Sequence, residues 1–207
     1  MSPPTITSES PEIQHFRLAY PELMPFFDAI GGVALPVQSE MSVADAVIRH
    51  IVGQMLSVKA AATIHSRVML ASEAFKCRPW QLNNSQLLEC GLSRRKTRAI
   101  HEFGLVYDTR PDEIELWRSM PYPSLQQELR RFWGISDWTA AMLAIFNFGH
   151  SDVFPLNDSS ISRVITMIEA RFLSGKGSFD PKPATPFGTH LAMIFWASLD
   201  RGYWQQG

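Results

Sequence analysis

Cysteine is scarce in this chain. Its 207 residues hold two, Cys77 and Cys90, and neither belongs to a C-x-x-C pair. A disulfide framework is therefore not expected, and an iron–sulfur cluster held by four thiolates is excluded. An excess of charge is lacking as well: 19 Lys and Arg face 20 Asp and Glu, for a formal net charge of −1. That excludes a generally basic nucleic-acid coat but leaves room for a local basic patch. No apolar run reaches the roughly 18 residues of a bilayer span, so no membrane partner is expected. The start, MSPPTITSES, lacks a basic segment followed by an apolar one and does not read as a signal peptide. With so little cysteine, the expected location is a reducing cytoplasm. The six histidines, at 15, 50, 65, 101, 150 and 190, form no metal-spaced set, so no metal held by side chains is expected. Internal repeats and the sustained alternation of β-strands are also missing.

What is present is apolar residues, 45% of the chain, in helical order. Ser42 caps a helix with Val43, Val47, Ile48 and Ile51 on one face, ending at Gly53. Ser57 caps VKAAATIHSRVMLASEAF, with Ala61, Ile64, Val68 and Phe75 inward. Ser93 caps RRKTRAIHEFGLVYD, with Ile100, Phe103 and either Val106 or Tyr107 inward. Pro123 suits the first turn of YPSLQQELRRF. Further helices begin at Asp137 and Asp158, the stretch 174–188 is a Gly/Pro-rich loop, and a last helix closes at Gly202. The expected fold class is all-α, about ten helices with short links. Residues 1–12, rich in Pro, Ser and Thr, are expected to be flexible. Within FWGISDWTA (132–140), Gly134 permits positive φ and close backbone approach. The helix start that follows favours an anion such as a phosphate. By pattern alone this is an ordinary turn between helices, Asp158 is an ordinary N-cap, and Trp138 and Trp196 are core residues.

Three motifs in order change that balance. They are V-G-Q-x-x-S-V-x-A-A at 52–61, Gly134-Ile135 with Trp138-Thr139-Ala140, and Asp152-Val153-Phe154 with Asp158 and Ile161. GLSRRKTRAI (91–100) adds a Gly-Leu-x-x-x-Lys helix start. Together they resemble the helix-hairpin-helix (HhH-GPD) DNA glycosylases, in the 3-methyladenine DNA glycosylase II (AlkA-like) branch, over roughly residues 40–200. The resemblance implies two helical lobes with a cleft between them. Lobe one is 41–157, with its hairpin at 132–137; lobe two joins 13–40 to 158–207.

The resemblance also implies roles. Asp158 falls at the catalytic carboxylate. Breaking an N-glycosidic bond leaves positive charge on the sugar, which a fixed carboxylate stabilises while it orients or deprotonates water. A cationic, alkylated base leaves readily, so one carboxylate suffices where ordinary glycosidases need two. Trp138 stands where the lyase-active, endonuclease III-like branch has a lysine, which implies base removal by water without strand cleavage. Trp138, Met142 and Trp196 would line the base pocket, with Met142 in place of a frequent tyrosine. Met55 would be the wedge that fills the gap in the DNA stack, and Gln54 would bond the base left behind. Gly134 and Ser136 of the hairpin, with Arg94, Arg95, Lys96 and Arg163, would meet phosphates. An alkali cation on the hairpin carbonyls is implied, with no other cofactor. Three departures from the hairpin pattern, Trp133, Ser136 and Asp137, imply weaker or more selective DNA binding, Asp137 by repelling phosphate.

The expected activity is that of a monofunctional glycosylase acting on an alkylated purine in double-stranded DNA by base flipping, the first step of base excision repair. The chain would act as a monomer, at the nucleoid if it is bacterial. Two alternatives stay open at this point. One is a glycosylase for an unusual base such as an etheno adduct or hypoxanthine, motivated by Met142. The other is a non-catalytic binder of damaged DNA, motivated by the altered hairpin.

Overall fold

The computed structural model describes residues 5–36, 40–175 and 177–205. Among these run eleven α-helices: α1 (Pro11–Ala19), α2 (Met24–Ile30), α3 (Val43–Gly53), α4 (Val58–Phe75), α5 (Asn84–Glu89), α6 (Arg94–Thr109), α7 (Pro111–Glu115), α8 (Tyr122–Leu129), α9 (Asp137–Phe146), α10 (Ser159–Phe172) and α11 (Gly188–Asp200). Two short strands, β1 (Thr5–Ile6) and β2 (Val33–Ala34), pair antiparallel with Ile6 opposite Val33. The all-α expectation holds. Of the start expected to be flexible, residues 1–4 lie outside the described residues, as do 37–39 of the expected second lobe and Lys176 of the expected loop. Residues 5–12 carry regular structure: β1 pairs with β2, and α1 begins at Pro11.

The helix starts follow local chemistry. Ser42, Ser57 and Ser93 each turn a side-chain oxygen onto an amide of the first turn, at Asp45, Ala60 and Lys96. Each satisfies one of the donors that a helix leaves without an internal partner. Ser136 does the same for α9 and Asp158 for α10.

The chain forms two compact units, Ser39–Phe148 and Met1–Gln38 with Gly149–Gly207. In the first, α3 is central and packs against α4, α6 and α9. Seven of its eleven residues are buried, from Val43 to Val52. Beside it Phe103, Trp117 and Phe132 form an aromatic triangle with ring centroids 5.2–6.2 Å apart. The helix α4 departs from expectation. Only Val68 and Ser72 along it are buried, and Phe75, expected inward, is 59% exposed. In the second unit, Phe16, Phe26, Phe195, Ile161, Val164 and Leu191 bring α1, α2, α10 and α11 onto one core.

Residues 149–157 belong to this second unit and not, as the motif boundaries implied, to the first. The reason is a polar clasp with α11. The Asp152 carboxylate accepts from the Gly188 amide at 3.0 Å, the Thr189 hydroxyl donates to the His150 carbonyl at 2.7 Å, and the Val153 amide donates to that same hydroxyl at 3.0 Å.

Candidate active site and nucleic-acid interface

In the unit that contains it, Asp158 is held by its own helix and by a distant one. Its backbone amide closes a turn onto the Pro155 carbonyl at 2.9 Å. Its Oδ1 accepts from the Ile161 amide at 2.9 Å, capping α10. The same oxygen accepts from Trp196 Nε1 on α11, at 3.1 Å. A carboxylate at a helix N-terminus lies where the peptide dipoles favour negative charge, and two donors fix its orientation. Asp158 and Trp196 are both half-buried. N-cap and candidate catalytic group are therefore one residue. Trp196, expected as a wall for a base, also positions the carboxylate through its indole N–H. Arg163 stands exposed one turn further along α10.

The other unit carries the hairpin turn and the loop between α3 and α4. Phe132, in the aromatic triangle, roots the turn in the core, and the Ile135 amide returns to the Phe132 carbonyl at 3.2 Å. Gly134 has φ +82°, and a Cβ there would lie 2.8 Å from the Ala99 Cβ on α6. Both the backbone conformation and the close approach thus require glycine. Ser136 Oγ accepts from the Thr139 amide at 3.3 Å. Trp138 follows on the first turn of α9, half-buried. Met142 is 5% exposed, which leaves little of it to face a ligand directly.

The altered hairpin residues are not simple losses. Asp137 is clasped by Arg130, whose Nε and Nη2 reach its two oxygens at 2.5 and 2.6 Å. That pairing holds the Asp137 carboxyl below its ordinary range and offsets the charge expected to repel phosphate. Trp133, another of the departures from the hairpin pattern, is 38% exposed. The Arg98 guanidinium lies 4.2 Å from its ring centre and that of Arg95 5.6 Å away. Such cation–π contacts draw the arginines to the turn. Arg98 also pairs with Glu102 at 2.6 Å, while Arg94 and Arg95 stand exposed at the start of α6.

Two expected contacts are redirected. Lys96, assigned to phosphate, instead donates from Nζ to the Val52 carbonyl at 2.8 Å and to the Gln54 carbonyl at 2.7 Å. Burial there pushes its ammonium below the ordinary value. Gln54, assigned to the base left behind, uses its amide nitrogen internally, with 2.9 Å bonds to the Gly134 carbonyl and to Thr139 Oγ1. Met55 beside it is fully exposed, with φ +56°. Sequence reading placed Thr139 in the motif without a role, and missed Thr189 and the Arg130–Asp137 pair. The only local sign was Arg130 seven residues before Asp137, a spacing that falls across the turn.

Among the described residues no group of three or more His, Cys, Asp or Glu side chains could hold a metal ion, and no helix is long and apolar enough to cross a membrane.

No family model matches the chain. The alkylbase DNA glycosidase-like protein mag2 of Schizosaccharomyces pombe is 29% identical over 117 residues, which are 53% of this chain and 54% of that protein. The chain thus aligns with about half the length of that relative. Among solved structures, DNA-3-methyladenine glycosidase from Bacillus halodurans is 25% identical with a TM-score of 0.76, over 98% of this chain and 95% of that one. The 3-methyladenine DNA glycosylase Mag1 of S. pombe, solved in complex with abasic DNA, shares the fold at 20% identity, with a TM-score of 0.71 over 92% and 97%. The 3-methyladenine DNA-glycosylase of Archaeoglobus fulgidus does so at 19% identity and 0.65, over 94% and 70%. By fold over nearly its whole length the chain is similar to solved 3-methyladenine DNA glycosylases, and by sequence over about half of it to an alkylbase DNA glycosidase-like protein, in keeping with the helix-hairpin-helix DNA glycosylases that its motifs resemble.

Proposed function

We propose that this chain is a monofunctional DNA glycosylase that removes an alkylated purine from double-stranded DNA by hydrolysis, as a first step of base excision repair. The observation that carries the reading is the Asp158 carboxylate, fixed by the Ile161 amide and the Trp196 indole. In the proposed reaction the N-glycosidic bond breaks and its electron pair leaves with the base, whose positive charge is thereby neutralised. Charge develops on the sugar, Asp158 stabilises it, and water adds to the anomeric carbon while giving its proton to Asp158. Trp138 and Trp196 are each assigned an aromatic face for the flipped base, and Met55 the wedge that replaces it in the stack. Arg94 and Arg95, with the Gly134 turn, are assigned to the DNA backbone.

Release of free base from a panel of modified duplexes tests this. Asp158→Asn should lower release by about 100-fold or more, the scale of losing one electrostatic stabiliser, with DNA binding retained. Equal release by both proteins would remove Asp158 from the chemistry. Strand nicking without added alkali, trapped by borohydride, would overturn the monofunctional assignment, since Trp138 offers no amine. A second reading, an unusual base as substrate, is motivated by Met142 standing where the resemblance places a frequent tyrosine. The panel therefore includes etheno adducts and hypoxanthine.

A further inference from the structure

The loop between α3 and α4 does more than connect. At the end of α3 the helix leaves carbonyls without internal partners, and the peptide dipoles favour a cation there. Lys96, from the first turn of α6, meets both needs by donating to the Val52 and Gln54 carbonyls at 2.8 and 2.7 Å. From that anchored backbone the Gln54 side chain reaches the hairpin, donating at 2.9 Å to the Gly134 carbonyl and at 2.9 Å to the Thr139 hydroxyl. Thr139 is tied in turn to Ser136, through its amide at 3.3 Å. The next residue along is Met55, fully exposed and in the left-handed region at φ +56°. A non-glycine residue stays in that region only where its surroundings over-determine it.

We propose that Lys96 and Gln54 are positioning residues that brace the Met55 loop against the Gly134 turn, so that the wedge and the hairpin move as one body when a base is extruded. Neither residue touches DNA. Prising a base from its stack meets resistance, and a wedge on a free loop would yield before the stack does. The brace supplies the stiffness. Lysine suits it because a compact ammonium with rotatable donors can serve two converging carbonyls. The inference rests on the glycosylase reading for its purpose, but the brace itself is a property of the free protein.

The test compares wild type with Lys96→Met, Gln54→Leu, Met55→Ala and the Lys96→Met/Met55→Ala double variant. One readout is hydrogen exchange in the free proteins. Lys96→Met should raise exchange at 54–57 and at 133–136 together; a rise confined to 54–57 overturns the brace. The second readout is base release from a duplex with the lesion paired, and from one with the lesion opposite a gap, where no intact stack resists extrusion. Lys96→Met should slow release about tenfold on the first and less than twofold on the second. Its effect should largely vanish in the Met55→Ala background, and the salt dependence of binding should be unchanged. A salt slope reduced by about one, with equal losses on both duplexes, would make Lys96 a phosphate contact instead. Additive effects in the double variant also overturn the brace. Should Lys96→Met fail to fold, Gln54→Leu carries the same comparisons. If wild type releases no base from any duplex, the glycosylase reading fails, and the exchange readout alone decides the brace.

Discussion

Asp158 joins an observed structural role, the N-cap of α10, to the chemistry proposed for it. A helix N-cap needs an oxygen aimed at the first-turn amides, and a carboxylate so aimed has a fixed direction. The second donor, Trp196 Nε1 at 3.1 Å, comes from another helix and turns a local cap into an oriented group. Trp196→Phe keeps an aromatic face but removes that donor. A hydrogen bond to a charged group contributes about 1.5–3 kcal/mol. We therefore expect single-turnover base release to fall at least roughly tenfold, with DNA affinity changed little. An unchanged rate would limit Trp196 to its aromatic face. Met55 makes a complementary point at the same scale: a large apolar side chain that is fully exposed at positive φ gains nothing for folding where it stands.

Among the elements, the turn between α8 and α9 depends on glycine for two separable reasons. Gly134→Ala would place a Cβ 2.8 Å from the Ala99 Cβ and hold alanine at φ +82°. Together these should destabilise the protein by about 1–3 kcal/mol, read as a lower denaturant midpoint. Adding Ala99→Gly should recover the steric part of the loss and leave the conformational part; no recovery at all would mean that the approach to α6 is not tight. This element was the hardest to read in sequence. Trp133, Ser136 and Asp137 looked like three departures from a phosphate-binding hairpin. In the folded chain Ser136 caps α9, Asp137 is clasped by Arg130, and Trp133 gathers Arg95 and Arg98. A motif compared position by position registers the changed residue but not the partner that compensates it.

For the molecule as a whole, the partly and fully buried histidines contribute to the response to acid. His50, on the central helix α3, is bonded at 2.7 Å to Asn147 Oδ1, and burial pushes it down from 6.5 to about 4. The fold therefore keeps His50 neutral where the unfolded chain takes up a proton. The stability this gives is complete above pH 6.5 and is lost as pH falls from 6.5 to about 4. The loss is on the order of 3 kcal/mol for a shift of this size. Burial lowers His65, His150 and His190 as well, which adds loss of the same sign. His50→Gln should flatten the fall in denaturation free energy across this window relative to wild type. An identical pH slope would assign the acid sensitivity elsewhere.

The sequence by itself determined what depends on near neighbours: the all-helical class and the serine and aspartate caps. Capping and amphipathic spacing act within about four residues, so they can be read along the chain. Where that reading overreached, packing was the cause. Phe75 fits the inward stripe of α4, but no element covers enough of it to bury the ring. Only the tertiary structure decided which donors meet which acceptors across long separations. Lys96 reaches carbonyls 44 and 42 residues away, Gln54 an acceptor 80 residues away, and Trp196 a carboxylate 38 residues away. Such bonds are set by how helices pack, and a side chain expected at a phosphate can be drawn to a helix end when packing brings unpartnered carbonyls within its reach.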